Sequence, residues 1–362
     1  MKTGDIVLPL HSGKAPKWLM ERMIKLSRSI IYLMTVEFGR SEVLRRLSDP
    51  LWFQSLGCLL GFDWHSSGLT TTVTYAIKEG LRQYEDELGI FVAGGKGKHS
   101  LLVPDEVGKT AEKHGVDAEK VVYASKMSAK VDTVLLQDGY NLYHHVIIYT
   151  KEGLWCVVQQ GMNEKLGTAR RYHWLSENVK SFVEEPHAGI ISDRREESVL
   201  NITSRDSLSS KEVILDLVKK PPDQIVSLYS KALSYRMPSR HYISLKDMKP
   251  DNLKKTLLKT YETPPQDFEA LTAMRGLGPM SMRALALISD VLFGARPSYE
   301  DPTLYSFAHG GKDGYPYFVR RDIYDKSIEL LEIAIRNAKL GQREELETLR
   351  KLPKLFPFYK AP

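Results

Sequence analysis

The stretch PQDFEALTAMRGLGPMSMRALALISDVLFGAR, residues 265–296, decides the architecture of the second half of this chain. Its apolar residues recur at helical spacing until a Gly-Leu-Gly sequence at 276–278 interrupts them. The proline that follows suits the first position of a second helix, because it has no amide proton to lose there. Two glycines around a branched residue let the backbone turn tightly and approach a ligand. The stretch therefore predicts two helices joined by a tight turn, which we call the GLG turn.

The start of the second helix is a candidate anion site, because its first amides have no partner within the helix. The pattern resembles the helix-hairpin-helix module of DNA repair and recombination proteins. That resemblance implies contact with the phosphate backbone without reading of bases. A purely structural hairpin remains the alternative. The expected DNA contacts in this stretch are Gly276, Leu277, Gly278, Ser281 and Arg283.

Composition sets broad limits on the class of protein. The 362 residues suffice for two ordinary domains, and 42% hydrophobic with 27% charged residues is typical of globular proteins. Only Cys58 and Cys156 are present, both in apolar runs, which argues against a disulfide framework or a cysteine metal site. Without a signal-peptide core or a membrane-spanning segment, we expect a cytoplasmic protein with no membrane partner. Assembly into a homo-oligomer is left open.

The net charge of +6 is unevenly distributed along the chain. The first 200 residues contain 25 basic and 25 acidic residues, whereas the remainder contains 26 basic and 20 acidic ones. The whole excess therefore falls on the half that carries the GLG turn. Such a bias is expected if this half contacts a polyanion such as DNA.

The periodicities predict an α+β protein, with a mixed α/β domain over 1–195 and an all-helical helix-hairpin-helix domain over 196–362. In the first domain, helices are expected from Pro16 to Thr35, with Trp18 inward, and over Pro50–Phe62. Further predicted elements are a strand at Gly89–Ala93, helices at Asp105–His114 and Asp117–Ser128, a hairpin from Leu142 to Gln160, a polar loop over Glu184–Ser210 and a charged helix over 321–350.

The hairpin carries the residues that we predict to bind a metal. If Thr150 pairs with Leu154 across the turn, His145 lies opposite Gln159 and His144 opposite Gln160, one pair on each face. Only one histidine can then serve a given site. Together with Asp132 and Asp138, which precede the strand, that histidine could hold Mg²⁺ or Mn²⁺ against a phosphodiester. The metal set is Asp132, Asp138 and His145, and a polar hairpin with satisfied histidines is the alternative.

Other clusters are weaker candidates for chemistry or DNA contact. Asp63 and His65 stand before a threonine-rich helix start, where they form either a second catalytic candidate or a capped helix entry. The remaining candidates are basic residues: Lys96 and Lys98 in a glycine-rich loop, the pair Arg170 and Arg171 between aromatic residues, and Lys312 in a glycine-rich insertion. A surface loop is the alternative for the lysine pair, and a domain-boundary anchor is the alternative for the arginine pair.

Two family resemblances complete the sequence evidence. Over about 40 residues, the chain resembles the hairpin-containing DNA glycosylases in its order of helix, GLG turn, helix and downstream aspartate. Met280 occupies the position of their catalytic lysine, which implies no lyase chemistry, and Asp301 falls near the position of their aspartate. The whole chain resembles the archaeal and bacterial family called domain of unknown function 763, through LPLHSGKAPKWL, FQSLGCLLGFDWHSSGLTTT, VAGGKGKHS, LQDGYNLYHHV, VVQQGMN, ARRYHW and FAHGGKDGYP. This second resemblance implies a shared fold and a DNA-related role, without a mechanism.

The sequence thus predicts a DNA-binding protein of repair or processing, foremost a metal-dependent nuclease that cleaves phosphodiester bonds. Its catalytic candidates are Asp132, Asp138, His144, His145, Asp63 and His65. A non-catalytic DNA-binding protein is the alternative, and a monofunctional glycosylase that uses Asp301 is a third. Carboxylates that converge in one cleft would favour the nuclease, and an apolar pocket beside the GLG turn would favour the glycosylase.

Overall fold

A computed structural model describes residues 15–62, 67–192, 195–235 and 250–303, and the backbone of 305–306. The predictions for Asp63, His65, Lys312 and the charged helix over 321–350 lie outside these residues. Within them, the predicted α+β class is confirmed. The helices of the first half are α1 (Lys17–Phe38), α2 (Arg40–Ser48), α3 (Pro50–Leu59), α4 (Gly68–Leu81), α5 (Glu85–Leu88), α6 (Val103–His114) and α7 (Ala118–Val134). The helices of the second half are α8 (Leu208–Leu217), α9 (Pro222–Ser234), α10 (Pro250–Glu262), α11 (Phe268–Ala273) and α12 (Pro279–Phe293).

The strands form a central sheet and a small two-stranded ladder. They are β1 (Ile90–Lys96), β2 (Leu136–Gln137), β3 (Asn141–Thr150), β4 (Trp155–Asn163), β5 (Thr168–Leu175), β6 (His187–Ser192), β7 (Leu200–Asn201) and β8 (Tyr305–Ser306). In the central sheet the order is β1-β3-β4-β5-β6-β8, antiparallel except for the last pair, and β2 pairs with β7. Strand β6 lies inside the segment predicted to be a polar loop, which corrects that prediction.

Both faces of the sheet are covered, because the strand residues alternate between two apolar clusters. Ile90, Val92, Val146 and Ile148 pack with α1 to α5, and their neighbours along the strands pack with α6 and α7. We call these the α4 face and the α7 face. A sheet buried on both sides leaves no solvent-exposed row, so polar side chains on its central strands must find internal partners.

The cluster on the α7 face continues without interruption into α8, α9, α10, α11 and α12. Lys130 of α7 donates a hydrogen bond to the carbonyl of Met274, and Gln137 donates one to the carbonyl of Pro279. Helices α11 and α12 therefore pack directly on α7, whereas α8 and α9 pack against α12 and α10 packs against α9. The division at 195/196 stays a prediction, and the apolar cluster spans it.

Two local expectations are corrected by the packing. Trp18 was expected to point inward from the first helix, but its side chain is 59% exposed, whereas Met23, Ile30 and Met34 are buried. Helix α7 runs to Val134, past its predicted end at Ser128, so Asp132 lies on the helix and not in a loop before the strand.

Candidate functional site

The predicted register of the hairpin is confirmed. His144 pairs with Gln160 and His145 with Gln159 across β3 and β4, so the two adjacent histidines point to opposite faces of the sheet. Each histidine belongs to a row of polar residues that crosses the strands. The α4-face row is Lys96, His144, Gln160 and Arg171, and the α7-face row is His145, Gln159 and Tyr172. These rows are the two candidate centres for chemistry in the sheet.

On the α7 face, both ring nitrogens of His145 are hydrogen-bonded. Its Nδ1 lies 2.7 Å from the side-chain oxygen of Gln159, and its Nε2 lies 2.8 Å from the Ser125 hydroxyl. The Gln159 amide nitrogen donates to the carbonyl of Ser128 and to the carboxylate of Asp132. Burial lowers the pKa of His145, so the ring is neutral at pH 7. These groups form a closed network with no open coordination position on the imidazole.

The carboxylate of Asp132 is equally occupied. Besides the Gln159 amide, it accepts a hydrogen bond from the indole of Trp174 at 3.0 Å and lies 2.5 Å from Nε2 of His187. Asp132 is 1% exposed, and the rings of Trp174 and His187 pack edge to face with centroids 4.7 Å apart. A carboxylate enclosed in this way is held in place by its neighbours.

Asp138 lies in a different network, centred on Arg170. The guanidinium lies 3.0 Å from the carboxylate of Asp138 and 2.7 Å from that of Asp301, and all three side chains are at most 1% exposed. The Tyr172 hydroxyl also donates to Asp138, at 2.7 Å. Although burial disfavours the charge of Arg170, the two carboxylates raise its pKa. The network connects β5 to the segment that follows α12.

The structure therefore does not bring Asp132, Asp138 and His145 together as one ligand set. Within the described ranges, no group of three or more histidine, cysteine, aspartate or glutamate side chains could hold a metal ion. The reason is the extension of α7, which carries Asp132 over the sheet while Asp138 turns toward Arg170. Asp132 and His145 therefore belong to one hydrogen-bond network, and Asp138 belongs to another.

Arg170 and Arg171 were predicted to contact a phosphate backbone, and this expectation is corrected by their burial. They are 0% and 1% exposed, because β5 is an inner strand of a sheet covered on both faces. The Arg171 guanidinium donates to the His173 ring at 2.9 Å, to the side-chain oxygen of Gln54 at 2.9 Å and to the Thr70 hydroxyl at 3.2 Å. Burial lowers the pKa of Arg171 to about 9.

On the α4 face, His144 and Gln160 are buried with part of their hydrogen-bonding capacity unused. Nε2 of His144 lies 2.9 Å from the Thr74 hydroxyl, and the Gln160 amide nitrogen donates to the carbonyl of Ser67 at 2.9 Å and to the Tyr143 hydroxyl at 2.5 Å. Nδ1 of His144 and the side-chain oxygen of Gln160 have no hydrogen-bond partner among the described residues. Burial, with help from His145 and Lys96, lowers the pKa of His144 to about 3.

A β-bulge brings Tyr143 to this row. The pairing of β3 with β4 shifts between Leu142 and His144, which leaves Tyr143 as an extra residue. In a regular strand Tyr143 and His144 would point to opposite faces, whereas a bulge can re-aim a side chain and is common next to functional sites. Here it places the Tyr143 hydroxyl against the Gln160 amide. The ammonium group of Lys96 lies 5.7 Å from the centre of the same ring.

The glycine-rich loop at the end of β1 begins with a glycine that the sheet requires and continues into exposed residues. A Cβ at Gly94 would collide with the backbone carbonyl of His145, so the close strand pairing requires glycine there. Beyond it, Lys96, Gly97 and Lys98 are exposed. The two predicted basic contacts are therefore available at the rim of the α4-face row.

The GLG turn joins α11 and α12 and combines one buried with two accessible residues. Leu277 is 3% exposed and belongs to the apolar cluster of the α7 face, so it anchors the turn. Gly276 is exposed with φ +101°, and Gly278, the N-cap of α12, has open space where a Cβ would lie. Lys259 of α10 approaches Gly276, with its ammonium group 3.6 Å from the position of a Cβ there.

Ser281 and Arg283, the other predicted contacts near this turn, are more enclosed than expected. Ser281 is 5% exposed, and Nε of Arg283 donates to the side-chain oxygen of Gln137 at 2.8 Å. The exposed groups at the turn are instead Arg275 and Lys259. The first turn of α12 contains no acidic residue and its N-cap no side-chain hydrogen bond, so its amides are not neutralised from within.

Comparison with known families agrees with the resemblance seen in the sequence. The family model described as a protein of unknown function (DUF763) matches residues 4–319. The chain belongs to this family. Neither the curated proteins nor the solved structures gave a significant match. None of the described helices of this DUF763 member is long and apolar enough to cross a membrane.

Several residues of these networks were not singled out from the sequence. His187 follows a polar run and belongs to a short strand, so nothing local marks it as the partner of Asp132. Tyr143 and Thr74 come to the α4-face row through a bulge and through helix packing. The available signal was the alternation within ARRYHW, which places Arg171 and His173 on one face of β5 and Arg170 and Tyr172 on the other.

Proposed function

We propose that this protein binds DNA through the phosphate backbone at the GLG turn and serves DNA repair or processing. The observation that carries the proposal is the open approach to Gly278 at the N-terminus of a 15-residue helix. Backbone amides and the helix dipole favour an anion at such a point. A phosphate can approach closely there because, among the described residues, no atom lies within 4 Å of a Cβ placed on Gly278.

The charges around the turn support the same partner. Arg275 and Lys259 are exposed beside Gly276, and Lys255 is exposed on the same helix as Lys259. Together with the excess of basic residues in this half of the chain, they provide a cationic surface for a polyanion. Contacts of this type carry no sequence information, so we expect little base preference.

Binding is better supported than catalysis at the predicted residues. A metal-dependent nuclease needs carboxylates that converge on one ion, but Asp132 and Asp138 lie in separate hydrogen-bond networks. A glycosylase would need a free aspartate, whereas Asp301 accepts hydrogen bonds from Arg170, Thr303 and the amide of Glu196. The alternative of a non-catalytic DNA-binding protein therefore takes first place, and cleavage with Mg²⁺ or Mn²⁺ stays a prediction.

The test compares two glycines in the full-length protein. A Cβ at Gly278 or at Gly108 of α6 meets no atom within 4 Å, and neither glycine has a positive φ. We expect Gly278→Val to weaken binding of labelled DNA about tenfold, a loss of about 1.4 kcal/mol, because its side chain blocks phosphate approach. Gly108→Val should bind like the wild type. Fluorescence anisotropy gives the affinities, and thermal melting confirms that both variants fold.

Two further measurements, the salt dependence of binding and DNA cleavage, test the proposed function. Wild-type affinity should fall steeply between roughly 50 and 300 mM salt, since phosphate contacts release counterions. Salt-independent binding, or equal binding by wild type and Gly278→Val, would overturn the proposal. Parallel incubations with Mg²⁺, Mn²⁺ or EDTA monitor cleavage. Metal-dependent products that persist in Asp132→Asn and Asp138→Asn would place a nuclease centre elsewhere in the chain.

A further inference from the structure

The α4-face row contains two neighbouring hydrogen-bond acceptors that face no donor. For His144, the proton positions follow from Thr74. The Thr74 hydroxyl has one proton, which it donates to the carbonyl of Thr70 at 2.8 Å. Toward His144 this hydroxyl must therefore accept, so Nε2 of His144 carries the ring proton. Because the ring is neutral, Nδ1 is left as a bare acceptor.

The second acceptor follows from the amide of Gln160. The carbonyl of Ser67 can only accept, so the Gln160 atom 2.9 Å from it must be the nitrogen. That nitrogen uses its two protons on Ser67 and Tyr143. The side-chain oxygen of Gln160 is then an acceptor, buried and without a partner among the described residues. We call Nδ1 of His144 and Oε1 of Gln160 the acceptor pair.

The chemistry of the missing group follows from this pair. His144 and Gln160 lie directly opposite each other on neighbouring strands, and they are 2% and 0% exposed. A buried acceptor without a donor is costly, so two of them on directly opposed residues indicate a group that supplies two N–H or O–H donors. An amino group on a flat ring meets this requirement, whereas an anion or a carbonyl does not.

The surroundings of the pair select the rest of the ligand. Tyr143 supplies a half-buried aromatic ring, and the exposed Lys96 and Lys98 supply cations at the rim. Behind the pair, Arg171 is buried with neutral hydrogen-bond partners only, in the part of the chain that the structure describes. An aromatic ring beside positive charge suits a base that carries a phosphate.

We propose that the acceptor pair holds the exocyclic amino group of an adenine or cytosine nucleotide, with its phosphate toward Lys96 and Lys98. The same chemistry is offered by a free mononucleotide and by an unpaired base of a strand. The proposal does not rest on the GLG turn, which is a separate element. It assigns His144, Gln160, Tyr143 and Lys96 to a nucleotide site distinct from the backbone contact.

The test uses two ligands that differ at one position of the ring. AMP carries the 6-amino group, and IMP carries an oxygen in its place. Titration calorimetry on the full-length protein should show binding of AMP at least tenfold tighter than of IMP, and of CMP tighter than of UMP, because the acceptor pair repels a carbonyl. This comparison needs no variant, so it stands whether or not a substitution disturbs the fold.

Variants and a strand ligand complete the design. Gln160→Leu should abolish the preference for AMP over IMP, and Lys96→Ala should weaken AMP but not adenosine. The exposed Lys109→Ala of α6 serves as the matched control and should change neither. Short oligo(dA) and oligo(dI), bound to the Gly278→Val variant, show whether a strand supplies the base without help from the GLG turn.

Each result has one meaning. A preference for AMP that Gln160→Leu removes supports the site, with preference among the oligonucleotides naming the strand as its source. Equal affinity for AMP and IMP overturns it. Absence of nucleotide and oligo(dA) binding also overturns it, with a buried water as the donor to the pair. Loss of DNA binding by Gly278→Val alongside an intact AMP preference separates this site from the proposed backbone contact.

Discussion

The adjacent histidines His144 and His145 differ in how completely they are hydrogen-bonded on the two faces of the central sheet. On the α7 face, His145 has a partner on each ring nitrogen, and the network continues through Gln159 to Asp132. On the α4 face, His144 has one partner, and the neighbouring Gln160 has an unused oxygen. Both histidines are buried and their pKa values are lowered by burial. Burial alone therefore does not separate a structural histidine from a candidate for binding.

What separates them is whether each donor and acceptor has a partner. A saturated network resists change, because removing one member leaves others unsatisfied in a low-dielectric interior. A pair of unsatisfied acceptors lowers the stability of the free protein, and a ligand that supplies the missing donors regains that stability. We infer that the α7 face maintains the fold and that the α4 face holds the candidate for ligand binding. Three measurements test this division.

The largest effect is expected on the α7 face, at Arg170. Arg170→Ala leaves the buried carboxylates of Asp138 and Asp301 without their cation, and breaking such a pair costs about 3–5 kcal/mol of unfolding free energy. Chemical denaturation measures this loss. Arg45→Ala is the control, because its ion pair with Glu177 is exposed and contributes less than about 1 kcal/mol. Equal losses in the two variants would show that the Arg170 network is not a stabilising element.

A smaller difference is expected between the two histidines. His145→Leu leaves the side-chain oxygen of Gln159 without a donor, so it should lower the free energy of unfolding by about 1–3 kcal/mol. His144→Leu removes one bond and also one unsatisfied acceptor, so its cost should stay below about 1 kcal/mol. The two variants are matched in residue type and burial. A larger loss for His144→Leu would reverse the assignment of the two faces.

Local patterns in the sequence were enough to predict part of this arrangement. The alternation along β3 and β4 and the short turn between them gave the register of His144 and His145, because both signals are local. The apolar run from Pro50 predicted α3 for the same reason. The helices on either side of the GLG turn followed from helical spacing, glycine and proline.

The composition of the candidate sites could not be predicted in this way. Asp132 was assigned to a loop, because no breaker marks where α7 ends, and its partner His187 lies 55 residues away. Arg170 and Asp301 are separated by 131 residues. Such pairs are fixed by packing of distant segments, which periodicity does not report. The bulge at Tyr143 shifts one residue without changing the apolar pattern, so it leaves no trace in the sequence.

The smallest effect is the pH dependence contributed by His144. Its pKa is about 3 in the folded protein and about 6.5 in an unfolded chain, so the unfolded state binds the proton more readily. This histidine therefore contributes full stability above pH 6.5, and that contribution is lost as the pH falls from 6.5 toward 3. Between pH 6.5 and 5.5 the loss amounts to about 1 kcal/mol.

Denaturation curves at both pH values, for wild type and His144→Leu, isolate the effect of this histidine. The variant should lose about 1 kcal/mol less than the wild type over this interval, while His145 and His173, whose pKa values are also lowered by burial, contribute equally to both proteins. Parallel losses in the two proteins would mean that His144 is accessible enough to take up a proton in the folded state, which would place it at an open surface and remove the basis for a buried acceptor pair.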